Sequence, residues 1–271
     1  MVSDRELKEI WLECARKVLE ICYAKKAGHL GSSLSCLDIL VDLYFRRMKP
    51  EDRCLLSKGH AAAALYVVLA RSGRIPAESL SSFFVDGTSL GCHPPWSGQF
   101  DEIPFGTGSL GHGLSLAAGL ALSQRFSGKK SEIYCVLSDG DCNEGSTWEA
   151  ALFASQHRLS ELTVVIDQNG LQGLGSTSDI LNLEPLEAKW RDFGFETVTV
   201  RNGHDYVELD EAHASLRKRS QNRPRCLIAR TVKGSGVSFM ENRFEWHYPA
   251  LTEAQFRAAL DELKNRSPHA S

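Results

Sequence analysis

The hydrophobic positions along the chain change their spacing near residue 130. Before that point they recur at the intervals of an amphipathic helix. Helices are therefore predicted over residues 7–24, 37–46, 61–70 and 110–126. Pro50 follows the second of these helices, and proline cannot continue a helix. The first half of the chain is thus expected to be mainly helical.

After that point, short apolar runs alternate with helical patterns. The runs predict strands over residues 132–137, 162–166, 195–200 and 226–231. The helical patterns between them cover residues 148–156, 183–193 and 206–219. This alternation predicts an α/β fold of three layers, in which helices flank both faces of a mostly parallel sheet. We expect residues 1–271 to form a single domain.

Composition and net charge exclude some classes of function. Hydrophobic residues make up 42% and charged residues 24% of the chain, which is ordinary for a globular protein. The net charge of −3 argues against a broadly cationic nucleic-acid binder. No apolar run approaches the roughly 18 residues that a membrane-spanning helix needs. Neither a nucleic acid nor a membrane is therefore expected as a partner.

The cysteines and the first 20 residues indicate in which cellular compartment the protein is expected. The chain has 8 cysteines and no CxxC pair. This density is low for a secreted disulfide scaffold, so free thiols in a reducing cytoplasm are expected. Residues 1–20 carry charges throughout, and no signal peptide is predicted. Residues 74–107 are irregular and rich in Pro, Gly and Ser, and a loop of this length is usually functional.

Polar residues follow two of the predicted strands. The sequence SDGD follows the first strand and contains Asp139, whereas DQNG follows the second and contains Asn169. Ligands of parallel α/β sheets bind beyond the carboxyl ends of the strands. Mg²⁺ prefers such oxygen donors and is usually shared with substrate phosphates. The alternative is a pair of ordinary turns, because Asp-Gly and Asn-Gly are common turn sequences.

Two other motifs fail on their own requirements. An EF-hand loop starting at Asp139 needs Gly at its sixth position and Glu at its twelfth, but Glu144 and Ala150 occupy them. The GxGxxG pattern at residues 106–111 lacks the preceding strand of a dinucleotide-binding fold. Its glycines instead offer backbone N–H groups to an anion at a helix start.

Histidines in glycine-rich segments form a second group of candidates: His29, His60, His93, His112 and His247. Neutral imidazoles hydrogen-bond sugar hydroxyls and diphosphate oxygens, and they transfer protons near pH 7. A single histidine is more often structural, and that alternative stays open for each of them. No HxxxH or HExxH spacing occurs, so a zinc site is not expected.

The motifs together resemble a known family. SDGDCNEG followed by DQNG is similar to the GDG…N motif of thiamine diphosphate enzymes. Further segments resemble the N-terminal half of transketolase, in the same order: AGHLGSSLS, LLSKGHAAAALY, PFGTGSLGHGLSLAAGLA and ARTVKGSGVSFMENRFEWHY. The resemblance covers nearly the whole chain, and it implies the diphosphate-binding type of α/β domain.

The resemblance also implies roles for individual residues. The cation, Mg²⁺ or Ca²⁺, would be held by the side chains of Asp139 and Asn169 and by the carbonyl of Leu171. Thiamine diphosphate would contact His60, Gly108, Leu110, Gly140, Asn169 and His247, with Leu110 near the thiazolium. The catalytic group would consist of His29, His93, His247 and Glu144. Its histidines would face sugar hydroxyls or the bound reaction intermediate, and Glu144 would lie at the subunit contact.

This sequence departs from the family pattern at several positions. Ser138 replaces the first glycine of GDG, and Asp141 adds a charge that would oppose anion binding if it pointed inward. His112 stands where glutamine is usual, and Gln168 stands where aspartate is usual. For Lys233, a phosphate-proximal cation and a solvated lysine are both open alternatives.

The largest departure is the length. The sequence ends at Ser271, near the point where a full transketolase continues into its pyrimidine-binding domain. We therefore expect a subunit of a split transketolase, whose active site is shared with a C-terminal transketolase subunit in an α2β2 heterotetramer. Its reaction would transfer a two-carbon ketol unit between a ketose and an aldose, both small sugars or sugar derivatives. The alternatives are a diphosphate-binding subunit of a 2-oxo acid dehydrogenase-like enzyme and a non-catalytic scaffold subunit.

Overall fold

A single parallel sheet organises the chain. The computed structural model describes residues 2–95, 98–219 and 222–266. Within these residues, the strands are β1 (Arg53–Leu56), β2 (Ile133–Ser138), β3 (Leu162–Gln168), β4 (Glu196–Val200) and β5 (Arg225–Arg230). They form a five-stranded sheet in the order β1-β2-β3-β5-β4, and every neighbouring pair is parallel. The predicted parallel α/β sheet is confirmed.

Helices cover both faces of this sheet. In the described part of the chain they are α1 (Asp4–Lys25), α2 (Leu30–Ser35), α3 (Leu37–Asp42), α4 (Ala62–Arg71), α5 (Gly113–Phe126), α6 (Gly145–Gln156), α7 (Thr177–Leu181), α8 (Leu186–Asp192), α9 (Tyr206–Arg219) and α10 (Glu253–Asn265). Helix α3 continues into a wider helical turn at Leu43–Arg47, which ends before Pro50 as predicted. None of the helices in these ranges is both long and apolar enough to cross a membrane.

The side chains of the strands alternate between two cores, which makes three layers. On β2, Ile133, Cys135 and Leu137 belong to a core with α5, α6 and α8. Tyr134 and Val136 point the other way, into a core with α1, α3, α4, α9 and α10. A strand buried on both faces reads as a continuous apolar run, which is why the sequence pattern located β2.

Capping and packing position the first and last helices. Ser3 and Glu6 form a capping box at the start of α1, and Thr252 and Gln255 form one at the start of α10. The two helices then pack together, with the rings of Tyr23 and Phe256 stacked at a centroid distance of 4.2 Å. Reciprocal hydrogen bonds at a capping box satisfy backbone donors that a helix start otherwise leaves unpaired.

Several elements differ from the sequence prediction. Strand β1 was not predicted, because its four residues are too few to show a period, yet it pairs with β2 along its whole length. Helices α2, α7 and α10 were also missed. The helix predicted over residues 183–193 begins only at Leu186, because Pro185 precedes it, and the helix predicted over 110–126 begins at Gly113.

The segment 74–107 is largely irregular, as predicted, although it contains a short 3-10 helix at Ala77–Ser82. It is nevertheless packed against the fold. Phe83, Leu90 and Ile103 are buried in the core, and the hydroxyl of Tyr66 donates to the carbonyl of Gly91 at 3.1 Å. These contacts bring the glycine-rich residues 106–111 over the carboxyl edge of the sheet.

A close backbone contact joins this glycine-rich segment to the turn after β1. A Cβ atom placed on Gly59 would lie 1.9 Å from the carbonyl oxygen of Gly108. A Cβ atom on Gly119, inside α5, would meet nothing within 4 Å. A methyl group would therefore clash with backbone at Gly59, whereas it would fit without contact at Gly119.

Gly59→Ala is expected to destabilise the protein by at least about 1–3 kcal/mol, because backbone would have to move. The matched control Gly119→Ala is expected to stabilise it by about 0.5–1 kcal/mol, as alanine does inside a helix. Urea unfolding followed by circular dichroism measures both. A Gly59→Ala variant as stable as the parent would show that the two segments are not in contact.

Candidate functional site

The carboxyl ends of the strands open into one cleft, here called the sheet-edge cleft, with a volume of about 270 Å³. Its lining combines the turns after β1, β2, β3 and β5 with residues from segments 29–32, 109–110 and 247–248. The site residues predicted from the sequence that line it are His29, His60, Leu110, Asp139, Gly140, Asn169, Leu171 and His247. Residues far apart in the sequence are thus brought together.

The turns that follow β2 and β3 bring Asp139 beside Asn169. Ser138 pairs with Asp167 at the end of β2, and the backbone N–H of Asp139 donates to the carbonyl of Asp167 at 3.3 Å. Asp139 Oδ2 accepts a hydrogen bond from the backbone N–H of Gly170 at 2.7 Å. Asn169 Oδ1 accepts one from the N–H of Leu171 at 3.0 Å. A carboxylate and an amide oxygen therefore lie side by side in the cleft.

This donor set fits a hard divalent cation. Carboxylate, amide and carbonyl oxygens are the ligands that Mg²⁺ and Ca²⁺ prefer. Across residues 2–95, 98–219 and 222–266, no group of three or more His, Cys, Asp or Glu side chains could hold a metal ion. A cation at Asp139 and Asn169 would therefore take its other ligands from the Leu171 carbonyl, water and a phosphate-bearing molecule.

Charged groups in the cleft favour an anion next to such a cation. Burial raises the pKa of Asp139 to about 7, and the neighbouring carboxylate of Asp167 adds to this shift. Lys233 is buried, and burial together with the charge of Lys58 lowers its pKa to about 8. Burial also lowers the pKa of Lys58, but its ion pair with Asp167 outweighs this and raises the pKa above the ordinary value. Lys233 is thus a cleft residue and not a solvated lysine.

The predicted histidines form a cluster around His29. The ring centroid of His29 lies 5.6 Å from that of His60, 5.9 Å from that of His93 and 5.2 Å from that of His247. His93 is not among the residues that line the cleft. Its Nε2 lies 2.9 Å from the hydroxyl of Ser109, and Ser109 does line the cleft. His112 lies outside this cluster.

These imidazoles are neutral near pH 7. Burial, followed by the charges of His93 and Lys233, lowers the pKa of His29 to about 4. Burial, followed by the charges of Lys233 and His29, lowers the pKa of His247 to about 3. Lys233 Nζ is 3.0 Å from Nδ1 of His247. A protonated lysine can only donate, so His247 accepts at Nδ1 and carries its proton on Nε2.

The charge of Asp141 does not enter the cleft. Its carboxylate is fully buried and accepts hydrogen bonds from the Ser57 hydroxyl at 2.6 Å and from the Gly111 N–H at 2.8 Å. It also accepts from the N–H and the hydroxyl of Ser138, both at 2.8 Å. Asp141 therefore ties the glycine-rich segment to the turn after β2, and Ser138 takes part in this contact.

Besides His93, two predicted site residues lie outside the cleft lining. Gly108 is exposed in a left-handed conformation with φ of 61°, and its carbonyl packs against Gly59. Glu144 is exposed at the start of α6, where its side chain lies next to Gly111. Their roles at the cofactor and at a subunit contact stay predictions.

Four further residues that line the cleft or pair with a lining residue were not identified from the sequence. Lys58, Ser32 and Tyr248 line it, and Asp167 forms the buried ion pair with Lys58. A signal existed for Lys58, because it lies two residues before His60 in the same motif. Asp167 begins the DQNG sequence that follows the second predicted strand, but nothing in the sequence indicates that it pairs with Lys58.

Comparison with known proteins decides the family. The family described as "Transketolase, thiamine diphosphate binding domain" matches residues 15–267. The chain belongs to the transketolase family of transferases. Among its relatives, one subunit of the apulose-4-phosphate transketolase of Actinobacillus succinogenes is 39% identical over 274 residues, covering 97% of this chain and 98% of the relative. The 6-deoxy-6-sulfo-D-fructose transketolase subunit SqwG of a Clostridium species is 41% identical, covering 88% of each.

Solved structures agree with this transketolase assignment. The transketolase of Leishmania mexicana superimposes with a TM-score of 0.87 at 26% identity, covering 97% of this chain and 42% of that one. The transketolase of Campylobacter jejuni gives a TM-score of 0.84 at 26% identity, covering 98% and 44%. This transketolase-family chain thus spans about two fifths of the length of these structures.

The lowered pKa values predict neutral histidines at mildly acid pH. His29 and His247 should keep neutral-imidazole NMR shifts from about pH 8 down to about pH 5. Between their native pKa values of about 4 and about 3 and the ordinary 6.5, the unfolded chain binds more protons. The unfolding free energy should therefore fall as the pH falls through this window.

His204 provides the internal comparison. Burial lowers its pKa, but the Asp38 carboxylate, 2.7 Å from Nδ1, raises it above the ordinary value. Its titration should therefore lie at higher pH than those of His29 and His247. A midpoint near 6.5 for either of the latter would contradict the buried, cationic surroundings described here.

Proposed function

We propose that this chain is the diphosphate-binding subunit of a split transketolase that transfers a two-carbon ketol unit between a ketose and an aldose. The observation that carries the proposal is the pairing of Asp139 with Asn169 in a cleft lined by neutral histidines. The transketolase family match over most of the chain supports it. We propose one domain for residues 1–271, with the pyrimidine-binding half on a partner chain.

The proposed cofactors are thiamine diphosphate and a divalent cation, Mg²⁺ or Ca²⁺. Asp139, Asn169 and the carbonyl of Leu171 would hold the cation, which would bind the diphosphate oxygens. The diphosphate contacts would come from His60, Gly108, Gly140 and His247, with Leu110 beside the thiazolium. The ammonium groups of Lys58 and Lys233 would add positive charge. When bound, thiamine diphosphate supplies the electron sink for cleavage of a carbon–carbon bond.

The histidines would orient the sugar through hydrogen bonds to its hydroxyls. As a neutral group, His29 has both a donor and an acceptor nitrogen for sugar hydroxyls, which His93 and His247 would also contact. Lys233 holds Nδ1 of His247, so its Nε2–H is the atom available to donate. Because the pKa values of His29 and His247 are lowered to about 4 and about 3, these imidazoles suit hydrogen bonding to hydroxyls better than accepting a hydroxyl proton.

The partner would be a C-terminal transketolase subunit in an α2β2 heterotetramer, with Glu144 at a subunit contact. The relatives of nearly equal length are named as subunits of transketolases, which supports a partner chain. At the cleft, Leu174 is 83% and Tyr248 63% exposed. Large apolar side chains around a polar cleft are typical of surfaces that another protein covers.

The names of two relatives support a proposal for the substrate class. One relative is named for apulose 4-phosphate and another for 6-deoxy-6-sulfo-D-fructose, which both carry an anionic group on a ketose. We propose a ketose of this kind as donor. Asp141, whose charge would oppose anion binding if it pointed inward, faces away from the cleft, which weighs against a non-catalytic scaffold subunit. The free thiols of all cysteines support a cytoplasmic location.

The test is a ketol-transfer assay on this chain by itself, on a candidate C-terminal partner by itself, and on both together. Only the pair, with thiamine diphosphate and Mg²⁺, should cleave a phosphorylated or sulfonated ketose and extend an aldose. Asp139→Ala should lower this activity by at least about 100-fold, through loss of the cation. Ketol transfer by this chain without the partner, or decarboxylation of a 2-oxo acid in place of ketose cleavage by the pair, would contradict the proposal.

A further inference from the structure

An amide ligand has a direction that a carboxylate lacks. If the nitrogen of Asn169 pointed into the cleft, its N–H groups would repel a cation beside Asp139, whereas the oxygen would bind it. We propose that Ser35 and Asp167 are positioning residues that orient this amide with its oxygen toward the cation. The inference rests on the proposed function, because it concerns the proposed cation site.

A continuous chain of hydrogen bonds reaches the amide from behind. Asn169 Nδ2 donates to the Oγ of Ser35 at 2.9 Å. The Oγ of Ser35 donates to Oδ1 of Asp167 at 2.8 Å. Ser35 and Asp167 are both fully buried. Asp167 and Asn169 are two residues apart along an extended segment, so their side chains share one face, and Ser35 on α2 bridges them.

Because Asp167 can only accept, it determines which group donates at each step of this series of hydrogen bonds. A carboxylate only accepts, so the single hydroxyl proton of Ser35 goes to Asp167. The Oγ of Ser35 then has only lone pairs left, and only the NH₂ side of the Asn169 amide can face it. Thr231 also gives its hydroxyl proton to Oδ1 of Asp167, so it cannot reverse the arrangement.

The buried ammonium group of Lys58 holds Asp167, the last residue in this series of hydrogen bonds, in place. The ammonium of Lys58 forms an ion pair with Oδ2 of Asp167 and donates to the carbonyl of Ser32 at 3.1 Å. The carboxylate therefore has a positive partner on one oxygen and two hydroxyl donors on the other. On the cleft side, Asn169 Oδ1 is fixed by the Leu171 N–H. Both ends of the amide are thus determined.

The chain offers a matched control in the same helix. Ser33 lies on α2 and is fully buried like Ser35. Among the residues that the structure describes, its hydroxyl has no hydrogen-bond partner. Ser33→Ala and Ser35→Ala therefore remove the same atom from equally buried positions, and only the second removes a partner of Asn169.

The first measurement uses Mn²⁺ as the probe, with the full chain and saturating thiamine diphosphate, and counts free Mn²⁺ by electron paramagnetic resonance. Ser35→Ala should weaken Mn²⁺ binding by about 10- to 100-fold, as loss of a group that orients a metal ligand does. Ser33→Ala should change it by no more than about twofold. Equal effects of the two substitutions would overturn the proposal.

A second background separates orientation from packing. Asn169→Asp gives the ligand two oxygens, so its direction no longer matters. In that background, adding Ser35→Ala should change Mn²⁺ affinity by less than about threefold, which makes the two substitutions non-additive. A loss as large as in the Asn169 background would show that Ser35 acts through packing, and it would overturn the proposal.

A third readout needs neither cation nor cofactor. The side-chain amide of Asn169 in ¹⁵N-labelled chain, assigned with Asn169→Asp, should shift and exchange faster with water in Ser35→Ala and stay unchanged in Ser33→Ala. An unchanged signal in Ser35→Ala would refute the positioning role. If the parent chain binds no Mn²⁺ at all, the proposed function fails, while this signal still decides the inference.

Discussion

The parallel pairing of β2 with β3 is the constraint on which the site depends. The register that sets Ser138 opposite Asp167 brings the two following turns together, and Asp139 accepts a hydrogen bond from the Gly170 N–H of the second turn. Asp139 and Asn169 thereby present a carboxylate and an amide oxygen at one point, beyond the carboxyl ends where parallel sheets bind their ligands. A register shift of one residue, about 3.3 Å, would break the hydrogen bond between Asp139 and the Gly170 N–H.

The cleft keeps several charged side chains out of water. Lys58, Asp167, Asp139 and Lys233 are all buried, and each would be costly alone. Lys58 and Asp167 offset one another as an ion pair, and hydroxyl groups complete the coordination of the carboxylate. The histidines nearby stay neutral. The cleft thus has a charged region, suited to a cation and a diphosphate, and a region of neutral histidines, suited to sugar hydroxyls.

The sequence was sufficient for the residues that carry recognisable chemistry. Asp139, Asn169 and His60 lie in short motifs at predicted strand or helix ends, and local pattern placed them on one edge of the sheet. It was not sufficient where tertiary contacts decide. Strand β1 is too short to show a period, so only its pairing with β2 defines it. The direction of Asp141 depends on Ser57 and Gly111, which are distant in sequence.

The central claim is that one cation, shared by Asp139 and Asn169, anchors a diphosphate in the sheet-edge cleft. Isothermal titration of thiamine diphosphate into the full chain, with Mg²⁺ and then with EDTA, tests it most directly. The account predicts that removing the divalent cation weakens binding by at least about tenfold, and that this dependence disappears in Asp139→Ala. Equal affinity with Mg²⁺ and with EDTA in the parent chain would contradict it.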